Sequence, residues 1–248
     1  MSVDTVKSAQ RVIEVLMVFA RHKTPLTQSE LLDATQYPQS SMTALLKTLT
    51  TSGLLHYNGY TRQYFPTMLV KDLGGWIKDP TPEAEWITRI MSELREYCGE
   101  TVALGVQNDT IIMYLRSFQS DHIVRYHVRP GEQRSLLDSS MGWILLSRLD
   151  KRKIEQIYRR SSFESRSNAG NLDSFLAEME RVREQDHCFI SNIPPKAGTV
   201  SMLLPARFNG APLVIGVGGF IDRVEPRKQE FLEKMRELIN VHAPKDLT

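Results

Sequence analysis

Cysteine is scarce in this chain: Cys98 and Cys188 are the only two, and they lie far apart. Two distant thiols make neither a zinc cluster nor a disulfide framework, so reduced thiols and no bound metal are expected. Long apolar runs are also missing, and none approaches the ~18 residues a membrane-spanning helix needs. The opening Met1-Ser2-Val3-Asp4-Thr5 lacks a basic-then-apolar secretion pattern, so a cytoplasmic protein with no membrane contact is expected. Catalytic frames are absent too. Ser139, Ser201, Asp138, His127 and His187 occur, but no Ser sits in a Gly-x-Ser-x-Gly elbow and no His-Glu-x-x-His is found. Gly216-Val217-Gly218-Gly219 lies within a strand-like run, not at a strand-to-helix turn, which argues against a phosphate cradle. The expectation is a non-enzyme with no cofactor.

What is present is an ordinary globular composition, 41% hydrophobic and 24% charged over 248 residues. At ~150 residues per domain this means one large domain or two unequal ones. The net charge of +2 is unevenly placed. Residues 1–78 hold eight Lys or Arg against five Asp or Glu, whereas the remainder holds 23 against 24. The positive excess in the first third is a modest footprint for nucleic acid.

That first third predicts helix, helix, helix, hairpin. Over Lys7–His22 the apolar residues Val12, Ile13, Leu16, Met17, Phe19 and Ala20 recur at helical spacing, with Ser8 as the expected N-cap. Thr27-Gln28-Ser29-Glu30 is a capping box opening a short second helix. In a third helix, Ser40–Ser52, Met42, Leu45, Leu46 and Leu49 form one buried stripe. Its other face shows Ser40, Ser41, Thr43, Ala44, Lys47, Thr48 and Thr51, with no acid. A face laid against phosphates must exclude carboxylates, and short hydroxyls let a backbone approach closely. Asn58-Gly59, between strand-like runs, predicts a two-residue type I′ hairpin. The pattern is that of a winged helix-turn-helix, whose third helix enters the major groove of double-stranded DNA. Thr27, Gln28, Gln39, Ser40, Ser41, Thr43, Lys47 and the wing residue Arg62 are the candidate DNA contacts. A small helical domain that binds protein is the competing reading.

Pro80 and Pro82 mark a boundary, followed by a helix over Glu83–Tyr97 whose broad apolar stripe suits either an inter-subunit contact or a core. The expected division is 1–78 DNA-binding, 79–98 linker helix and 99–248 a second domain. Strands are predicted at 101–106, 111–117, 123–128, 188–191, 199–204 and 212–221. Helices are expected at 139–149, capped by Ser139, at 151–160, 172–185 and 225–241, with 161–170 a surface loop. Antiparallel hairpins with gathered helices mean an α+β sheet domain resembling a GAF-type small-molecule sensor.

With both halves laid out, the chain resembles the IclR (isocitrate lyase regulator) family of bacterial transcription factors. In the DNA-binding part the likeness rests on residues 8–16, Leu26-Thr27-Gln28-Ser29-Glu30-Leu31, Leu45-Leu46-Lys47-Thr48-Leu49 and Gly53-Leu54-Leu55. In the second part it rests on Gly99-Glu100-Thr101-Val102, Ser139-Ser140-Met141-Gly142 and the 198–205 strand. The resemblance implies a homodimer or homotetramer on a palindromic operator, with a small organic-acid effector near the helix start at Ser139, Ser140, Met141 and Gly142. Helix N-termini favour anions without Lys or Arg.

Several positions depart from the family. Ala44 replaces an Arg of the recognition helix, and Pro66-Thr67 replaces a Leu-Gly after the wing. Ser201 stands where the family has a cysteine, beside Leu203, while its acidic pair falls on Ser191 and Pro194. Its Ser-x-Ser is Gly216-Val217-Gly218. The implied effector residues are therefore Ser139, Ser140, Met141, Gly142, Ser191, Ser201, Leu203, Gly216 and Gly218. The glycines imply a larger or more apolar acid, aromatic or longer-chain, unless they serve strand packing. Met113, Tyr126 and Trp143 are candidate apolar walls, or plain core. An oligomerisation-only second domain is the alternative.

Overall fold

The computed structural model describes residues 6–75 and 83–244, and the chain divides into two units, Met1–Asp79 and Pro80–Thr248. The first holds α1 (Lys7–His22), β1 (Leu26–Thr27), α2 (Gln28–Thr35), α3 (Gln39–Thr51), β2 (Leu55–Asn58), β3 (Gln63–Pro66) and α4 (Met68–Gly75). Val15, Val18 and Phe19 of α1 close on Leu31 of α2 and on Met42, Leu45, Leu46 and Leu49 of α3. Ser8 is not the cap of α1. Val6 holds that position with no side-chain cap, and Ser8 lies one residue inside the first turn. The Thr27 capping box is present: Glu30 N–H donates to the Thr27 hydroxyl at 3.3 Å, and Thr27 N–H donates to the Glu30 carboxylate at 2.7 Å. These bonds hold the Glu30 carboxyl below its ordinary range.

The wing differs from the expected hairpin. Asn58 pairs with Gln63, so the loop has the four residues Gly59-Tyr60-Thr61-Arg62. Asn58 Oδ1 accepts the N–H groups of Tyr60 at 2.9 Å and Thr61 at 3.3 Å. An Asx turn thus replaces the type I′ geometry, and positive φ falls on Arg62 (57°) rather than on Asn58-Gly59.

The second unit opens with α5 (Glu83–Cys98). Its antiparallel sheet has the order β6-β5-β4-β9-β8-β7. The strands are β4 (Thr101–Asn108), β5 (Ile111–Phe118), β6 (Gln133–Ser135), β7 (Cys188–Ser191), β8 (Ala197–Phe208) and β9 (Ala211–Phe220). A 3-10 turn (Leu136–Asp138) leads into α6 (Ser140–Ser147), then α7 (Lys151–Arg160), α8 (Phe163–Ala169) and α9 (Leu172–Gln185). The short α10 (Ile221–Val224) and α11 (Lys228–His242) close the chain. Alternation along the strands builds two cores. Val200, Met202 and Leu204 of β8 face α5 and α11, whereas α6 and α9 cover the other face with Ile144, Leu145, Phe175 and Met179. The stripe of α5, Trp86, Ile87, Ile90, Met91 and Leu94, is buried in the first of these cores.

Two expectations fail here. Residues 123–128 form no strand. Ile123 is 97% exposed and Val124 64%, and the sheet edge is completed instead by β6. The segment is tied down by side chains: Thr101 Oγ1 donates to Tyr126 O at 3.0 Å and Ser117 Oγ to Val128 O at 2.7 Å. Residues 161–170, expected as a loop, contain α8, because Ser162 caps it through the Ser165 N–H at 3.2 Å. The helix α4 was not expected at all.

Both thiols are buried, and burial pushes both pKa values up, that of Cys98 to about 11. In the native chain at pH 8 neither is expected to react with a thiol reagent, while both react in denaturant. Rapid native labelling of either would contradict this packing.

Candidate functional site

The first site is the outer face of α3. Ser40, Thr43, Ala44, Lys47, Thr48 and Thr51 are exposed there, opposite the buried Met42–Leu49 stripe. Four of the expected contacts, Thr27, Gln28, Ser41 and Thr43, are already engaged. The Thr43 hydroxyl accepts from Gln28 Nε2 at 2.7 Å and donates to Gln39 O at 2.9 Å, and Ser41 Oγ accepts from Arg11 Nη1 at 2.7 Å. Gln28 and Thr43 thus form one polar pair joining α2 to α3. Thr27 spends its hydroxyl on the capping box, so its role is to start α2. Lys47 and Arg62 are exposed and make no ion pair among the described residues. Arg11 escaped the sequence reading; it stacks over the Tyr37 ring at 4.9 Å and reaches Ser41 from α1. Nothing in the spacing of α1 pointed to it.

The second site is a cavity of about 50 Å³ between the sheet and the start of α6. Its floor is a trough of small residues, because Ala103 and Gly216 are directly paired across β4 and β9; the row continues to Ser201 of β8, which does not line the cavity itself. Thr101, Gly218 and Thr199 form the next row toward the mouth. Ser139, Ser140 and Met141 close one side, and Tyr126, Val128, Ile193 and Pro194 close the mouth. Tyr126 Oη donates to Pro195 O at 2.6 Å, which spans that mouth.

The electrostatics of α6 are one-sided. The carbonyl of its last residue and one just beyond take the Arg183 guanidinium: Nε donates to Ser147 O at 2.6 Å and Nη2 to Leu149 O at 2.7 Å. At its other end Ser139 provides no side-chain cap, so the helix opens on the cavity with N–H groups to offer. Arg134 of β6 also lines the cavity, 4.0 Å from Glu132. Asp138 is there too, but its carboxylate already accepts Ser165 Oγ at 2.6 Å and Asn168 Nδ2 at 2.9 Å. The Tyr114 hydroxyl bonds to Ser139, and burial raises its pKa.

Of the expected effector residues, Ser139, Ser140, Met141, Gly216 and Gly218 come together around the cavity. Gly142 does not line it; a Cβ there would run into the Leu136 backbone, which makes it a packing glycine. Ser191 lies away at the end of β7, and Leu203 packs with the α6 core. Ser201 is fully buried at the inner end of the trough. Among the proposed walls only Tyr126 reaches the cavity. Met113 packs with the opposite core, and Trp143 donates from Nε1 to Leu137 O at 2.8 Å. Arg134 was missed because β6 was not expected, and Tyr114, on the expected β5, because only the sheet register turns it toward the cavity. Among the described residues no cluster of His, Cys, Asp and Glu suits a metal ion, and no helix is long and apolar enough to cross a membrane.

A helix-turn-helix head followed by a sheet unit with a cavity defines a class, the DNA-binding transcriptional regulator with an effector domain. Residues 84–240 match the description "Bacterial transcriptional regulator IclR C-terminal" and residues 8–59 "IclR helix-turn-helix domain", so the chain belongs to the IclR family. It is 24% identical over 189 residues to the HTH-type transcriptional regulator KdgR of Escherichia coli (strain K12), covering 74% of this chain and 70% of KdgR. The crystallised effector domain of a regulator described as IclR from Acinetobacter sp. ADP1 superposes with a TM-score of 0.61 at 28% identity, over 66% of this chain and 96% of that one. Thermotoga maritima IclR shares the fold over 97% of this chain and all 100% of its own, with a TM-score of 0.67 at 14% identity.

Proposed function

We propose that the chain senses a small carboxylate-bearing metabolite and changes its affinity for operator DNA accordingly. One observation carries this: the uncapped start of α6 opens on the cavity beside Arg134, while Arg183 neutralises the other end of that helix. An acid group lodged there gains N–H donors and a guanidinium at once. The effector contacts are Ser139, Ser140, Met141, Gly216, Gly218, Tyr114 and Arg134. The working division is 1–78 for DNA, 79–98 as connector and 99–248 for the effector. Two or four chains place paired heads on a palindrome, with half-sites ~34 Å apart or a multiple of it.

Thermal denaturation of the full chain with short aliphatic and aromatic acids tests the sensing part. A ligand at 100 times its Kd stabilises by about 2.7 kcal/mol, so a dose-dependent rise in Tm is expected from one class of acid. No shift from any acid would overturn the reading in favour of an oligomerisation domain. On the DNA side, Lys47→Ala and Arg62→Ala are each expected to weaken all duplex sequences alike and to lower the salt slope by about 1. Loss confined to one base position would refute their assignment to phosphates. Ser40 and Gln39, at the start of α3, are the proposed base readers.

A further inference from the structure

The cavity is small: about 50 Å³, against the roughly 300–1,000 Å³ typical of ligand pockets. Met141 occupies part of the space. A Cβ at Gly216 would lie 2.7 Å from Met141 Cε, whereas one at Gly105 would meet Ile112 Cδ1 at 2.7 Å before Met141 Sδ at 3.3 Å. The end of the thioether therefore lies in the room that β9 leaves by carrying glycine at 216. Beyond it Ser201 Cβ is 3.2 Å from the same point over Gly216. Ser201 is 0% exposed, and its hydroxyl has no hydrogen-bond partner among the described residues. A buried hydroxyl without a partner costs about 1–3 kcal/mol, so such a group is kept where something else satisfies it.

We infer that Met141 is a displaceable plug over the inner half of the effector site, and that Ser201 is the hydrogen-bonding group it covers. The inference rests on reading this cavity as an acid site. Methionine suits the role, since an unbranched thioether changes rotamer at little cost and fits irregular space. Swinging its Cγ, Sδ and Cε out of the trough frees room for an apolar branch of similar size. The effector is then a short acid that carries an isobutyl-sized group and a polar atom within reach of Ser201. Gly216 holds the trough open for the plug in one state and for the ligand branch in the other.

The test compares the full-length chain and Met141→Ala, titrated with pyruvate, 4-methyl-2-oxopentanoate and benzene. Met141→Ala is expected to bind 4-methyl-2-oxopentanoate about tenfold more tightly than the parent, with pyruvate changed less than about threefold. Benzene is expected to raise the Tm of Met141→Ala and not of the parent. In the parent chain carrying methyl-labelled methionine, saturation with 4-methyl-2-oxopentanoate should move the Met141 methyl resonance further than those of Met91 and Met235, which lie in the opposite core. This last measurement stands even if Met141→Ala fails to fold. Equal gains for both acids, or an unmoved Met141 resonance on binding, overturn the plug and leave the acid site intact. Benzene binding without binding of either acid keeps the plugged trough and overturns the acid reading. Silence from all three probes overturns both.

Discussion

Gly142→Val is expected to destabilise the second unit by more than about 3 kcal/mol, beyond the usual 1–3 kcal/mol of overpacking. A Cβ at this position would sit 2.1 Å from Leu136 O and 2.6 Å from Leu136 Cα, far inside any real contact. Those are backbone atoms, and they cannot swing aside as the end of a flexible side chain would. Leu136 is itself fixed, buried completely and donating its N–H to Thr110 O at 3.1 Å. Trp143, one residue on, anchors the same turn through Leu137 O. The substitution must push α6 off the sheet, and with it the start of the helix that faces the cavity. Urea unfolding followed by tryptophan fluorescence reports this directly, since Trp86 and Trp143 both lie in the second unit. An unchanged midpoint would mean that α6 does not pack on the 3-10 turn.

Arg223→Ala is the second large loss, roughly 3 kcal/mol, at the low edge of the 3–5 kcal/mol for breaking a buried pair because the guanidinium is partly exposed. Glu100 is 1% exposed, and Arg223 holds its carboxylate with two nitrogens, Nη2 at 3.0 Å. Without Arg223 the neighbouring cation is His122, whose Nε2 is 3.5 Å away and charged only when protonated. Gly219 belongs to the same arrangement, since a Cβ there would meet Glu100 Oε2 at 2.3 Å. The expected signature is rescue: adding Glu100→Gln to Arg223→Ala restores part of the stability, because a neutral amide tolerates burial better than an unpaired carboxylate. If the double variant is no more stable than Arg223→Ala, the loss comes from the Arg223 guanidinium stacked over Phe220 instead.

Much of this was legible in the residues, and the reasons are local. The head is written in a 3.6-residue rhythm and a capping box, both of which act within a few positions, so α1 to α3 fall where expected. The wing shows how a local signal loses to a competing one: Asn58-Gly59 promises a tight turn, yet the Asn58 carboxamide captures two amide N–H groups and lengthens the loop. Residues 123–128 alternate like a strand, but alternation says only which faces differ. It does not say that a partner strand is free, and β5 pairs with Gln133–Ser135. The cavity was legible on its α6 and β9 sides, where the resemblance placed Ser139, Ser140, Met141, Gly216 and Gly218. Arg134, Tyr114 and Thr101 reach it only through sheet register, which no spacing reveals. Gly216 and Gly218 of β9 have different uses, since Gly216 makes room for Met141 while Gly218 faces Thr199 at the mouth.

On the proposed function, one small acid controls DNA binding by this chain. The most direct measurement takes a duplex selected by the full chain from random DNA and titrates it by fluorescence anisotropy, with and without the stabilising acid at saturation. A coupling of about 1–3 kcal/mol predicts a 5- to 150-fold change in Kd. An acid that binds the chain and leaves the Kd for DNA unchanged would contradict it.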